Sequence, residues 1–387
     1  MTMQSPALHL LLPFSLPALR AARHTLPALQ QGALARLLAR ATLTEKSVGE
    51  DFQRTLPHER WLAHRFKVID AATLDAAPLA PYMLLADQAE PVTVTLNTVP
   101  ATSHIHSDDT PIWACVEPVH VQIAHDHLIL IDPAHLELAT DEATRLLKTA
   151  QPLIESLGIT LVAPTPLRWY ISAPFLHGLS GASPLRAAGR NIEIWLPHET
   201  RTGAASRAWL KLQNEVQMAW FEHPINDARE TRGVYTANSI WLHAQGSFKP
   251  VTSPFSCILA NAPAARGLGL AAGLTAQHQV NLPPAHFDQL ALFTTAQATR
   301  APATKILVEL DDLTLPFLQQ DWSHWAATLT TLEHNWFTPA LAALQSGALR
   351  TLTLTLCGDT SSLTLTVTRA DLRKFWRRRS TASLLES

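Results

Sequence analysis

Between His223 and Gly246 the chain reads HPINDARETRGVYTANSIWLHAQG, gathering His223, Asn226, Arg229, Arg232 and Asn238 in one short stretch. Two guanidinium forks, two amides and an imidazole are the equipment for gripping a phosphate or a carboxylate. Such density stands out in a chain with only 16% charged residues. The stretch therefore points to an anionic small molecule as ligand. A structural alternative stands beside it: Asp227 and Glu230 neutralise the arginines on a solvated helix face, and Asn238 shapes a turn.

Other residues could do chemistry with less support. His104 and His106 form an H-x-H pair with Asp108 and Asp109 close behind, which on a strand would put both imidazoles on one face. No third histidine follows at a fixed spacing, so these four residues are weak metal candidates. His125 and His127 have the same standing. Asp359 follows an apolar strand and Gly358, and Asp311 and Asp312 follow another strand, which makes Asp359 a further weak metal candidate. Gly267, Gly269 and Gly273 have a spacing similar to a dinucleotide loop. Asn261 to Arg266, including Pro263, separate them from the strand CILA, whereas a phosphate-binding turn follows its strand directly. Close helix packing is the better reading of these glycines.

The elements that must position these residues differ in texture along the chain. Residues 8 to 14 read as a strand and 16 to 40 as one or two helices, with another helical pattern from Pro57. A boundary or long loop is expected near 98 to 112. From Trp113, VHVQIA and LILID suggest a hairpin, followed by a helix capped at Thr140 and kinked at Pro152. The strands ITLVA and LRWYIS come next, then a helix with Trp209, Leu212, Val216 and Ala219 on one stripe. From Ala237, NSIWLHA, FSCILA, HQVNL, TKILVEL and LRTLTLTL alternate with helical patterns, which implies a largely parallel sheet with helices on both faces. Ligands in that architecture bind at the carboxyl ends of the strands. Thr368 and Asp371 form a capping pair for a last helix.

The 223 to 246 motif, together with LILID, the Thr140 helix, GLS at 178 to 180 and CILANAPAARGLGLAAGL, resembles the archaeal-type cofactor-independent phosphoglycerate mutases of the alkaline phosphatase superfamily. The opening HLLLPF, the HER near residue 58 and LQNEVQMAWFEHPINDARETRG more closely resemble the RpfE-type bacterial regulatory proteins. The resemblance implies an alkaline-phosphatase-like α/β fold: a largely parallel core sheet with an inserted α+β cap module. It also implies, for active members, two ions of the Mn²⁺ class held by Asp and His, and a Ser that carries the phosphoryl group. This chain departs from that pattern. ALHLLLPFS lacks the expected Asp-Gly, Thr360 stands where a His follows Gly-Asp, and ELDDL lacks its His. The grip of Arg229, Arg232 and Asn238 is retained.

These readings give four segments: 1–112 as a divergent N-terminal part of the core, 113–236 as the substrate-binding-like cap, 237–380 as the other core half, and 381–387 as a disordered tail. The expected function is that of a degenerate, non-catalytic phosphoglycerate-mutase-like protein with a regulatory or anion-binding role, without assigned catalytic residues. An active metal-dependent mutase or phosphatase and a protein-interaction scaffold are the alternatives. No cofactor is expected, and a divalent metal such as Mn²⁺ only if the chain is active. With 387 residues, 47% apolar content and a net charge of -2, a folded protein without general attraction to nucleic acid is expected. The basic cluster of Arg373, Lys374, Arg377, Arg378 and Arg379 reads as a solvated helix end. No apolar run approaches a membrane span, so no membrane is expected as a partner. Partners are then an anionic small molecule or a protein, and the scattered Cys115, Cys257 and Cys357 suit a reducing cytoplasm.

Overall fold

The computed structural model describes residues 5–17, 30, 32–50, 52–70, 76–89, 111–199, 202–291, 293 and 304–377. The segment holding His104, His106, Asp108 and Asp109 and the tail 381–387 lie outside the described residues, as does much of the expected helical stretch before Gly32. Strand β1 (Ala7–Leu16), helix α1 (Gly32–Arg40), strand β2 (Thr42–Val48) and helix α2 (Pro57–Arg65) come first. Helix α3 (Ala80–Ala89) precedes β3 (Ile112–Val119), β4 (Val121–Ala124) and β5 (His127–Leu130). Then follow α4 (Thr140–Ser156), β6 (Thr160–Thr165), β7 (Arg168–Ser172), α5 (Ala204–Phe221), α6 (Pro224–Thr231) and β8 (Ser239–Ser247). Next come β9 (Cys257–Leu259), α7 (Pro263–Ala271), β10 (Val280–Asn281), β11 (Lys305–Glu309) and α8 (Thr314–Leu318). Helices α9 (Trp322–Leu332) and α10 (Thr338–Ser346) and strands β12 (Thr351–Gly358) and β13 (Ser361–Thr368) close the series.

Two compact units result. The first comprises 1–53, 57–66 and 252–387; the second comprises 54–56 and 67–251. The first unit is built on a seven-stranded sheet of order β10-β9-β11-β1-β12-β13-β2. The strands from β10 to β12 run parallel, and β13 and β2 add antiparallel pairs at one edge. This is the α/β class with a largely parallel sheet. Strand β1 is buried along its whole length, which explains its near-continuous apolar sequence: a central parallel strand faces core on both sides. Strands β12 and β13 form a hairpin through Asp359 and Thr360, and β2 at the edge shows exposed Glu45 and Lys46, charges that discourage pairing with another chain.

The second unit holds a four-stranded antiparallel sheet of order β6-β7-β3-β8 and the separate hairpin β4-β5. Sequence alternation groups the strand at 239–247 with the parallel set; the structure pairs it antiparallel to β3 instead. Its apolar run is equally suited to either sheet, and tertiary pairing decides between them. One face of this sheet packs on α4 and α5 through Ala114, Val116, Leu146, Ile154, Trp209 and Trp220. Helix α4 runs from Thr140 to Ser156 with Pro152 inside it, and its N-cap is Ala139, not Thr140. Glu142 turns back to accept a hydrogen bond from the Ala139 amide, which satisfies an open donor of the first turn. The capping pair at Thr368 and Asp371 forms as expected. No helix of the described residues is long and apolar enough to cross a membrane.

Candidate functional site

The five motif residues of the second unit form a buckle. Pro224 starts α6 directly after the N-cap residue His223, whose Nδ1 accepts from the Ile225 amide at 3.2 Å. Asn226 is buried; its Nδ2 donates to the carbonyls of Trp220 at 2.8 Å and Ala237 at 2.9 Å, and its Oδ1 accepts from the Ala237 amide at 3.1 Å. That side chain ties the end of α5 to the lead-in of β8. Gly233, at φ +71, takes the left-handed conformation that lets the chain double back after α6. Val234 then donates to the Arg229 carbonyl and Tyr235 presents its own carbonyl to the Arg229 Nε at 2.7 Å.

Arg229 is only 1% exposed. Its remaining hydrogen bonds run to the Glu142 carboxylate and the carbonyls of Leu136 and Glu137. Arg232 donates to the other oxygen of Glu142 while its side chain stays 56% exposed. Burial pushes the Glu142 pKa up, but the hydrogen bonds from Arg232 and the Ala139 amide and the charge of Arg229 outweigh it and hold the carboxyl below its usual range. Asn238 pairs with Val121 as a strand would, its Nδ2 donating to the carbonyl and its Oδ1 accepting from the amide, both at 2.8 Å. Asn226, Arg229 and Asn238 thus spend their polar groups on the framework, and His223 spends its Nδ1. Arg232, which also donates to Glu142 and to the Ala228 carbonyl, is the exposed member of the five.

The carboxyl edge of the parallel sheet is the other place where chemistry is expected in this architecture. In the first unit β1 ends in Phe14, Ser15 and Leu16. Phe14 has φ +55 and is fully buried, its ring centroid 4.9 Å from Phe317 and 5.7 Å from His58. Its carbonyl accepts from the Trp325 indole at 3.1 Å. Strand β11 ends in Glu309, which is 1% exposed and whose Oε2 meets no hydrogen-bond partner among the described residues. Burial and the neighbouring charge of Asp311 push its pKa up to about 8, against the pull of the Ala262 amide and Arg266. Asp311 accepts from Asn261 Nδ2 at 2.8 Å. His58 is buried, which lowers its pKa. Asp359 sits half-buried in the β12-β13 turn, where the next carbonyl, that of Thr360, accepts from the Gly49 amide at 2.7 Å and Arg60 Nη2 at 3.4 Å.

A pair of divalent cations would need several carboxylates and imidazoles converging on one point. Among the described residues, the His, Cys, Asp and Glu side chains that do converge in this way are Cys115, Glu117 and His243 of the second unit. Asp359, Asp311, Glu309 and His58 do not form such a set, and these residues do not fit a two-ion centre. Sequence reasoning quotes His58 and Glu309 only within HER and ELDDL and gives neither a site role; the signal for Glu309 is a carboxylate closing the buried run KILVE. Gly267 and Gly269 lie within α7, and a Cβ at Gly269 would come 2.8 Å from Ile258 and 3.0 Å from Val280. That glycine lets α7 settle on β9 and β10.

No protein-family model matches the sequence, and no curated protein sequence matches it. Among solved structures, the chain is similar to the cofactor-independent phosphoglycerate mutase of Thermoplasma acidophilum, at 11% identity and a TM-score of 0.42, covering 99% of this chain and 95% of that one. It is also similar to the PH0037 protein of Pyrococcus horikoshii, at 10% identity and a TM-score of 0.46, covering 100% of this chain and 93% of that one.

Proposed function

We propose that this chain is a phosphoglycerate-mutase-like protein of RpfE type that no longer transfers phosphoryl groups and acts in regulation through binding. The observation that carries the reading is the apolar filling at the end of β1. Where the sequence resemblance implies the first metal ligand, Phe14 is sunk against Phe317 and His58, with Trp325 closing over its carbonyl. Two-ion phosphoryl transfer needs charged oxygen and nitrogen ligands and room for the reacting group at such a place. An anionic metabolite binding at the 223 to 238 motif would centre on Arg232, whose side chain is 56% exposed, while Arg229 holds the framework. Three buried free cysteines, Cys115, Cys257 and Cys357, accord with a reducing cytoplasm as its compartment.

The deciding experiment is a coupled 3-phosphoglycerate mutase assay with Mn²⁺ present. The expected result is no turnover; turnover that a chelator abolishes would overturn the proposal and direct attention to His104, His106, Asp108, Asp109 and Asp359 as ligands. A protein partner is the second reading, favoured by Met218 and Phe221. They lie three residues apart on α5 and are 78% and 81% exposed.

A further inference from the structure

The four-stranded sheet carries a polar cluster on the face opposite α4 and α5. Cys115 and His243 are directly paired across β3 and β8, and Glu117, two residues along β3, shares the face of Cys115. Their ligand atoms all lie within 4.8 Å of one another. Cys115 Sγ is 3.8 Å from Glu117 Oε1, and His243 Nε2 is 3.3 Å from the same oxygen. The register slips immediately beyond His243, where Ala244 takes φ +59. Such a bulge re-aims side chains and is costly for a non-glycine residue.

We propose that Cys115, Glu117 and His243 form a site for a single zinc ion, with the fourth coordination position left to water or an external ligand. Zinc bonds of about 2.3 Å to sulfur and about 2.1 Å to nitrogen or oxygen, arranged tetrahedrally, set ligand separations of about 3.6 Å for S···O and about 3.4 Å for N···O. The observed 3.8 Å and 3.3 Å lie within a few tenths of an ångström of these values, and the third separation, sulfur to imidazole nitrogen, is within 4.8 Å and closes to about 3.6 Å on binding. A thiolate, an imidazole and a carboxylate together match zinc better than the harder Mg²⁺ or Ca²⁺. Charge also balances: Zn²⁺ with one thiolate, one carboxylate and a neutral imidazole sums to zero, so the ion can be buried without a net charge. Binding releases the Cys115 proton to solvent, and the electron pair left on sulfur forms the metal bond.

Residues around the trio are already paired. Arg168 donates to Asp87 at 2.9 Å and 2.8 Å, and the Tyr170 hydroxyl donates to Asp87 at 2.6 Å. Asp87 comes from α3, which packs on β3 and β8 and so walls the cluster. Glu117 is 21% exposed, which gives water a route to the fourth position. Three protein ligands with an open position is the arrangement found in zinc sites that activate water, whereas closed structural sites use four.

The site is tested by cobalt titration of the whole purified protein, read by the near-ultraviolet thiolate-to-cobalt charge-transfer band, with metal content measured alongside. One equivalent of Co²⁺ with that band, displaced by Zn²⁺, is expected. Cys115→Ser should abolish the band. Glu117→Gln and His243→Gln should weaken binding by about 100-fold or more, the upper end of what even supporting groups contribute; Cys257→Ala should leave the band intact. X-ray absorption at the zinc edge on unmodified protein checks the same point without a variant. One sulfur neighbour at about 2.3 Å is expected. A zinc shell without sulfur, no thiolate band at excess cobalt, or a band that survives Cys115→Ser would overturn the proposal.

Discussion

Replacing Arg229 by alanine separates the buckle from a ligand grip. Arg229 is 2% exposed in its side chain and Glu142 is 10% exposed, so the pair is effectively internal. Removing the guanidinium takes donors from the carbonyls of Leu136, Glu137 and Tyr235, and leaves Glu142 with Arg232 as its remaining side-chain partner. Breaking a buried ion pair from one side costs about 3–5 kcal/mol. Arg232→Ala removes an exposed partner of the same carboxylate and should cost less than about 1 kcal/mol. Equilibrium urea unfolding, with hydrogen exchange of the α4 and α5 amides to locate the loss in the second unit, reads both values. The two arginines should differ by at least about 2 kcal/mol. If Arg229→Ala unfolds within about 1 kcal/mol of the unmodified protein, or matches Arg232→Ala, the reasoning is refuted and Arg229 is available to a ligand. The pH dependence has a fixed sign: the folded pKa of Glu142 is depressed, so its contribution is complete at neutral pH and fades as pH falls through that lowered value.

Glu309 should behave in the opposite sense. Its pKa rises from the ordinary 4.5 to about 8, so the folded state holds a proton that the unfolded state releases, and stability falls as pH rises between those values. Glu309→Gln should therefore stabilise the first unit by roughly 3–5 kcal/mol at pH values above about 8 and by little at about 5, measured as the difference between denaturation midpoints. Gly269→Ala should cost about 1–3 kcal/mol because its methyl meets Ile258 and Val280 where α7 lies on the sheet, and thermal unfolding checks it. If an anion stabilises the protein in a thermal-shift screen, Arg232→Ala should remove the shift while leaving the unliganded melting temperature within a few degrees.

The sequence by itself determined the local elements whose pattern admits one reading. ALHLLLPFS is apolar but for His9 and Ser15 and becomes β1, buried along its whole length. TKILVEL becomes β11 as a buried apolar run, LRTLTLTL becomes β12 through its Leu-Thr alternation, and the polar His125 and Asp126 make the β4-β5 turn. Thr368 and Asp371 cap as their spacing requires, since that contact spans only three residues. Period-2 alternation in SSLTLTVT was equally legible as β13, the return strand of the hairpin, but the strand was not singled out.

Partners far apart in sequence were decided by tertiary structure alone. Strand β8 has the apolar character of a parallel core strand, yet it pairs with β3, more than a hundred residues earlier. Arg229 and Arg232 have the residue types of an anion grip, and their spacing is the same whether they face a metabolite or Glu142. The fold brings Glu142 beneath them from 87 and 90 residues away. Asn226 likewise reads as a ligand amide until the chain turns at Gly233 and delivers the Ala237 carbonyl to it. Cys115 and His243 lie 128 positions apart by number, and only the β3-β8 register, with its bulge at Ala244, makes neighbours of a thiol, a carboxylate and an imidazole. Side-chain chemistry and local periodicity are written residue by residue; which polar group meets which depends on strand pairing and burial, whose free energies are set by the whole packed core.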